Sequence, residues 1–304
     1  KPDVVYANTW PLFAQGFVTV VCKIRKIPLV LSIQDIYPET LNSQNRVAER
    51  SPIFRLLRIL DKWIVNAADA LVVISAGFSE IYQKSRNVKK EKISIIPNFQ
   101  EDIFMNSNDL SSYRKQLGIP EDALVFAYGG NVGTAAGLPH VIEMFKHFKK
   151  MCHLIIAGSG SQLDLCQEIS NGYPHIHFVS PWPKSDTQKL FHTADIVILP
   201  TAGAQSLASV PSKLITYMLA AKPILAIVLP ESDIGKVIKE IKCGWVIPPG
   251  KQELLLIIIK EMIELSMDDL NKMARNGRTY ALDHFTDNIC LPKLVDIIEK
   301  TGYE

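Results

Sequence analysis

Ser209, Ser212 and Lys213 lie in the stretch Ala208–Pro223, A-S-V-P-S-K-L-I-T-Y-M-L-A-A-K-P, where small residues pass into a helical pattern with Pro211 in its first turn. A helix start leaves backbone N–H groups unpaired and carries the positive end of the helix dipole. Two hydroxyls and an ammonium at that place make a site for phosphate. The same residues also read as a capped helix between two buried strands, Ala194–Pro200 before it and Ile224–Leu229 after the Lys222-Pro223 stop. Three further loops follow strand-like runs. Gly129–Gly137, G-G-N-V-G-T-A-A-G, contains Gly130, Asn131, Val132 and Gly133, and its glycines let the backbone come close to a phosphate or a sugar. Its spacing is not G-x-G-x-x-G, and no acidic residue ends a neighbouring strand about twenty positions later, which gives little support to a dinucleotide site. Gly158-Ser159-Gly160 is either a tight turn or a ligand loop. In Ser180-Pro181-Trp182-Pro183 the indole either packs beside a base or covers the domain edge. Asp35 follows the second strand directly, at the carboxyl end where open parallel sheets place ligands.

Other chemistries find little footing. His175 and His177 alternate on a strand, and His140 and His147 sit two helical turns apart, without a carboxylate or cysteine at ligand spacing. No metal is expected. There is no G-x-S-x-G elbow, and none of the five cysteines, at 22, 152, 166, 243 and 290, lies in a catalytic or C-x-x-C signature. They read as buried thiols in a reducing compartment.

The elements that must position these residues follow an alternating pattern. Strands at Asp3–Ala7, Pro28–Ile33, Leu71–Ile74 and Ile93–Ile96, with helices between, predict a first parallel sheet; strands from Leu124–Tyr128 to Trp245–Ile247 predict a second. The fold class expected is α/β, with two doubly wound domains. A polar stretch rich in breakers, 99–122, separates them, and the division is set at 108/109, with the second domain reaching residue 283 and a last helix over 284–304 returning to the first. In doubly wound sheets the Gly130, Gly158 and Ser180 loops and the helix at Pro211 converge on one edge, and Asp35 lies on the corresponding edge of the first sheet. The 304 residues are 47% hydrophobic, enough for two cores, and a formal net charge of +2 gives no reason to expect nucleic acid. The helical pattern over 51–68, with Arg55, Arg58 and Lys62 among apolar residues, is read as a solvated basic face or as a membrane-surface helix. No signal peptide or spanning segment is seen, so the location expected is cytoplasmic, with peripheral membrane contact left open.

Taken in order, Y-G-G-N-V-G at 128–133, I-I-A-G-S-G-S at 155–161, L-F-H-T-A-D-I-V-I-L-P at 190–200, P-S-K-L-I-T-Y-M-L-A-A-K-P at 211–223 and G-W-V-I-P-P-G at 244–250 resemble glycosyltransferase family 4, of the GT-B fold. D-I-Y-P-E at 35–39 and I-I-P-N at 95–98 resemble the branch that transfers N-acetylated amino sugars into bacterial surface polysaccharide, lipopolysaccharide included. The resemblance implies a retaining transfer from a nucleotide diphosphate sugar, usually UDP-linked, to a lipid-linked or polysaccharide acceptor, without a cofactor or required metal. It places the diphosphate between Gly130-Asn131-Val132-Gly133 and the helix at Pro211, beside Ser209, Val210, Ser212 and Lys213, with Gly158 close by and the base near Ser180 and Trp182. Asp35 is implied on the acceptor side, where it orients or deprotonates the attacking hydroxyl, or caps the turn that follows it.

The chain also departs from the family pattern. Many family members carry glutamates where Ala208 and Thr216 stand, and an arginine and a lysine where Asn131 and Ala136 stand; the polysaccharide branch often lacks some of these. Family first domains begin earlier, with a glycine-containing loop that closes over the donor; Lys1 precedes a strand already under way, so a truncated first domain is expected, its sheet opening on an unpaired edge. Two further readings follow from these departures: a non-catalytic module that binds a sugar nucleotide, and, less supported by any carboxylate or histidine set, a sugar-nucleotide epimerase.

Overall fold

A computed structural model of the chain describes residues 1–8, 11–43, 46–105, 112–148, 152–201 and 212–303. They form two compact units, one on residues 1–99 and 284–303, the other on residues 100–201 and 212–283.

The first unit holds strands β1 (Val5–Asn8), β2 (Leu29–Ile33), β3 (Ala70–Val73) and β4 (Ile93–Ile95), side by side in that order and all parallel. The strands run parallel because each return passes through a helix: Leu12–Arg25, Pro52–Ala67 and Ala76–Arg86. β2, L-V-L-S-I, is buried at every position, the pattern of a strand covered on both faces. One face, with Leu29, Leu31 and Leu71, packs under Ile64 and Phe78 of the crossover helices. The other, with Val30 and Val72, is covered by Cys290, Leu294 and Ile297 of the final helix, Asp287–Tyr303. Ser51 and Ser75 start two of the crossover helices by accepting from the N–H groups of Phe54 and Phe78, each at 3.2 Å.

Arg86, at the end of its helix, is wholly buried and pairs with Glu39 at 2.6 Å and Asp61 at 2.8 Å, while also donating to the Tyr37 carbonyl. A guanidinium inside a protein costs several kcal/mol of desolvation unless its fork of donors is matched, and here two carboxylates and a carbonyl match it. Burial still holds Asp61 up, at about 6, against the opposing pull of Arg86. The segment Glu39–Ser43 is a short helix whose first residue is this Arg86 partner.

The second unit is built on β5 (Leu124–Gly129), β6 (Cys152–Ala157), β7 (Ile176–Val179), β8 (Ile196–Pro200), β9 (Ile224–Ile227) and β10 (Gly244–Ile247). Their spatial order is β10-β9-β8-β5-β6-β7, all parallel. The sheet grows outward from β5 through β6 and β7, then resumes on the other side of β5 with β8. That reversal opens a crevice at the carboxyl ends of β5 and β8, which is where doubly wound sheets bind ligands. The division between the units falls at 99/100, earlier than the 108/109 expected from composition. Residues 100–105 belong with the second unit because their polar groups are spent there: Asp102 pairs with Arg278 at 2.7 Å, and Gln188 donates to the Ile103 carbonyl at 2.6 Å.

All five cysteines are buried and form no disulfide. Among the described residues no helix is long and apolar enough to cross a membrane. On β6 and β7 the rings of His153 and His177 stack 5.2 Å apart, with His153 Nδ1 and His177 Nε2 separated by 2.9 Å. Burial first, then the charges of His153 and His175, push His177 down to about 4 from 6.5. The unfolded chain therefore takes up a proton between these values that the folded chain refuses, so stability is full above the upper value and is lost as pH falls toward the lower one. Urea unfolding at about pH 7 and about pH 5 should show a smaller loss of stability for His177→Gln than for the native chain; equal losses would remove His177 as the cause.

Candidate functional site

Lys213 stands in the first turn of the helix Ser212–Leu219, which follows β8, and its stem runs directly over Gly130 at the end of β5. A Cβ on Gly130 would overlap Lys213 Cε and lie 3.0 Å from Nζ, and the φ of +140° at Gly130 is one that glycine adopts without steric cost. The ammonium rests 5.1 Å from the centre of the Tyr128 ring, and partial burial lowers its pKa from the ordinary lysine value. One turn further along the helix, the buried Tyr217 hydroxyl accepts from the Gly129 N–H at 3.2 Å and faces the Gly129 carbonyl at 3.5 Å. The helix and the end of β5 are thereby fastened to each other at two successive glycines.

The neighbouring loops are held by their backbones. Gly130 N–H donates to the Ala157 carbonyl at 2.8 Å, Val132 N–H to the Ser159 carbonyl at 2.9 Å, and the Tyr128 hydroxyl to the Asn131 carbonyl at 2.6 Å. Gly158, at φ +139°, has its Cα so close to Gly130 that a Cβ would overlap the Gly130 carbonyl oxygen, and a Cβ on Gly160 would lie 2.5 Å from the Val132 carbonyl oxygen. Both glycines of G-S-G are thus required by the packing of one loop on the next. Val132 is buried, the Asn131 side chain is exposed, and Gly133 is covered by it, its would-be Cβ 3.0 Å from Asn131 Nδ2.

These groups border a pocket of about 580 Å³ on the second unit, whose wall includes Gly129, Gly130, Lys213, Thr216 and Tyr217. Trp182 closes one side against Gly129, where a Cβ would lie 2.8 Å from its ring, and Lys184 brings a second ammonium to the rim. Thr216 donates its hydroxyl to Gln100 Oε1 at 3.0 Å. Ser180, at the end of β7, and Ser212 are exposed. Ser209, Val210 and Pro211 lie outside the described residues. Of the residues singled out in the sequence, the structure therefore brings Gly130, Trp182, Lys213 and Thr216 to one pocket; Asn131, Val132, Gly133 and Gly158 are not among its lining residues and belong to the loops packed behind Gly130. Tyr217, Tyr128, Gln100 and Lys184 were not anticipated; Tyr217 stood in the sequence one helical turn from Lys213, while Gln100 gave no signal.

In the first unit, Asp35 is half-buried just beyond β2, and burial raises its pKa. The turn after it has other supports: Thr40 donates its N–H and its hydroxyl to the Ile36 carbonyl at 2.8 and 3.0 Å, and Arg86 holds the Tyr37 carbonyl and Glu39. Among the described residues no cluster of three His, Cys, Asp or Glu is arranged to hold a metal ion.

Two Rossmann-like units, the second with its crevice at the β5/β8 reversal and a lysine over the glycines at the end of β5, define an α/β protein of the GT-B fold. Residues 110–280 match the family of glycosyl transferases group 1, and residues 1–100 match glycosyltransferase family 4. The chain belongs to the glycosyl transferases group 1 family. Among curated relatives, it is 25% identical to the "Probable glycosyltransferase WbjE" of Pseudomonas aeruginosa over 271 residues, 87% of this chain and 66% of that protein. It is 25% identical over 175 residues to the lipopolysaccharide 1,2-N-acetylglucosaminetransferase of Salmonella typhimurium, 52% of this chain and 44% of that protein. Anabaena HepE, solved in complex with UDP, superposes with a TM-score of 0.80 at 19% identity, over 98% of this chain and 79% of that one, a likeness of fold. The chain thus spans two thirds or less of the length of these two curated relatives.

Gly158→Ala should disrupt the packing of the 158–160 loop on the Gly130 loop, since both the positive φ and the overlap with the Gly130 carbonyl oppose a side chain; a loss of stability of about 3 kcal/mol or more is expected in denaturant unfolding. Tyr217→Phe should cost about 1 to 2 kcal/mol by leaving the buried Gly129 N–H without its partner, with the sheet otherwise intact. A neutral result for either would show that the Gly129–Gly130 geometry is not held as described.

Proposed function

We propose that this chain carries the donor site of a retaining glycosyltransferase that moves an N-acetylated amino sugar from a UDP-linked donor to a lipid-linked or polysaccharide acceptor. The observation that carries the reading is the Lys213 ammonium held above the open Gly130 backbone at the sheet's reversal point. When the bond between sugar and diphosphate breaks, negative charge grows on the departing diphosphate. A lysine already in place, with the backbone N–H groups of a glycine loop and a helix start, stabilises that charge without reorganising at the moment of reaction. In this reading the cation is supplied by the protein itself and no metal takes part. The base stacks by Trp182, beside Ser180, and the ribose lies toward Thr216. Asp35, whose pKa burial raises, suits an acceptor-side group that orients or deprotonates the attacking hydroxyl, because a carboxylate nearer neutrality is a better base. The names of the relatives support the class of donor and acceptor: one is a lipopolysaccharide N-acetylglucosaminetransferase, and the Anabaena neighbour was solved with UDP.

The alternative of a sugar-nucleotide-binding module without catalysis is favoured by Thr216, whose hydroxyl is engaged by Gln100 where a carboxylate would hold the donor. Calorimetric titration separates these readings in two stages. UDP should bind the native chain, and Lys213→Ala should weaken binding by about tenfold to a hundredfold, the range for losing a charged hydrogen-bond partner. Failure of the native chain to bind UDP would overturn the donor site. Binding without transfer from UDP-linked amino sugars to any polyprenyl-linked or glycan acceptor would leave the module reading.

A further inference from the structure

Gln100 and Glu101, which carry no signal in the sequence, line the pocket that holds Lys213. The connecting segment they begin is fastened to the second unit at several points. Asp102 pairs with Arg278 at 2.7 Å, and Arg278, on the helix Met267–His284, also donates to the carbonyl of Leu219, the last residue of the helix that carries Lys213. Gln188 donates to the Ile103 carbonyl at 2.6 Å, the Phe104 N–H to Asp102 Oδ1 at 3.0 Å, and the Phe104 ring meets Phe191 edge-on at 5.6 Å. On the near side, Gln100 Oε1 accepts the Thr216 hydroxyl at 3.0 Å. Glu101 is therefore held between two anchors that both lead to the helix Ser212–Leu219.

The charges of this wall differ from what a pocket for phosphate alone calls for. Lys213 and Lys184 bring positive charge, whereas Glu101 is the one acid among the described lining residues. It is exposed, and among the described residues its carboxylate has no ion-pair or hydrogen-bond partner. A bare carboxylate repels an incoming diphosphate, so it contributes to binding only where the ligand brings hydrogen-bond donors to it. With its Oε1 engaged by Thr216, Gln100 keeps Nε2 as a donor. Thr216 lies three residues beyond Lys213, on the same face of the helix and roughly 4.5 Å further along its axis. The pocket thus offers an ammonium at one place and, about one turn away, a carboxylate beside an amide donor. A ligand with a pair of hydroxyls a short reach from its phosphates answers both, and the ribose of a nucleoside diphosphate is such a group.

We propose that Glu101 and Gln100 read the ribose, the Glu101 carboxylate accepting from the 2′- and 3′-hydroxyls and Gln100 Nε2 donating to one of them, so that the site selects nucleotides that carry this diol. The proposal deepens the donor-site reading given above and rests on it. Two adjacent hydroxyls match the two oxygens of one carboxylate, and bonds to an ionised acceptor are the stronger kind. Because the Asp102, Ile103 and Phe104 contacts hold the segment before any ligand arrives, little ordering is left to oppose binding. A site built to bond hydroxyls also rejects analogues without them, since its own polar groups are then left unpaired. Glu101 gives up some attraction for the diphosphate and gains discrimination.

The test is calorimetric titration, at fixed salt, of the native chain and of Glu101→Ala with UDP, with the dideoxy analogue of UDP that lacks both ribose hydroxyls, and with inorganic pyrophosphate. The native chain should bind UDP at least about a hundredfold more tightly than the analogue, at about tenfold for each hydrogen bond to a charged group. In Glu101→Ala that preference should shrink by at least about tenfold, while pyrophosphate should bind no more weakly than to the native chain, because a like charge has gone. UDP bound by the native chain without preference over the analogue, or a preference that Glu101→Ala leaves intact, would overturn the proposal while the donor site stands. An equal loss for UDP, the analogue and pyrophosphate would also sink it, since Glu101 would then only support the pocket. Failure of the native chain to bind either nucleotide would remove the donor site and this inference with it.

Discussion

The passage of the Lys213 stem across Gly130 is the contact on which the second unit's site depends. It needs a residue without a Cβ at the end of β5, a helix that starts beside it, and a sheet order that puts β8 next to β5. Each requirement draws in others. Gly158 must also be bare because it lies against the Gly130 carbonyl, and Tyr217 must reach Gly129 to keep the helix in register with the strand. The energies are individually modest: about 1 kcal/mol for the Tyr217 bond and about 0.5 to 2 for an ammonium over an aromatic face. Their effect is to spend the lysine's rotamer freedom, worth about 2 kcal/mol, on folding rather than on binding. An anion arriving at this place meets a positive charge already aimed.

The first unit is organised around a different ion set. Arg86 gathers Glu39, Asp61 and the Tyr37 carbonyl, and so fixes the D-I-Y-P-E turn that follows β2. Thr40 and Arg86 secure this turn by bonds to the Ile36 and Tyr37 carbonyls and to Glu39. The same arrangement removes the single acid from the outer face of the helix Pro52–Ala67, so one buried ion pair sets both the shape of a loop and the charge of a surface.

The alternation of strands and helices was plain in the sequence because buried parallel strands are continuous apolar runs bounded by breakers, and β2 and β8 are cases in point. The Gly130 loop and Lys213 were legible for a related reason: glycines at strand ends and a lysine at a helix start have a local signature. What escaped was pairing across long stretches of chain. Gln100 meets Thr216 across 116 residues, Arg86 meets Glu39 across 47, and Asp102 meets Arg278 across 176. The last of these explains why composition put the division of the units too late. The G-S-G turn at 158–160 was ambiguous for a different cause, since the atoms that demand glycine there belong to another loop.

Placement of the diphosphate is the most direct measure of the account. A crystal structure of the chain grown with UDP should show a phosphate oxygen within about 3 Å of Lys213 Nζ and the pyrophosphate lying along the Gly130 backbone at the carboxyl ends of β5 and β8. A nucleotide seated elsewhere, with Lys213 still folded over Tyr128 and no phosphate beside it, would contradict the claim that this lysine and this glycine were brought together to hold a leaving diphosphate.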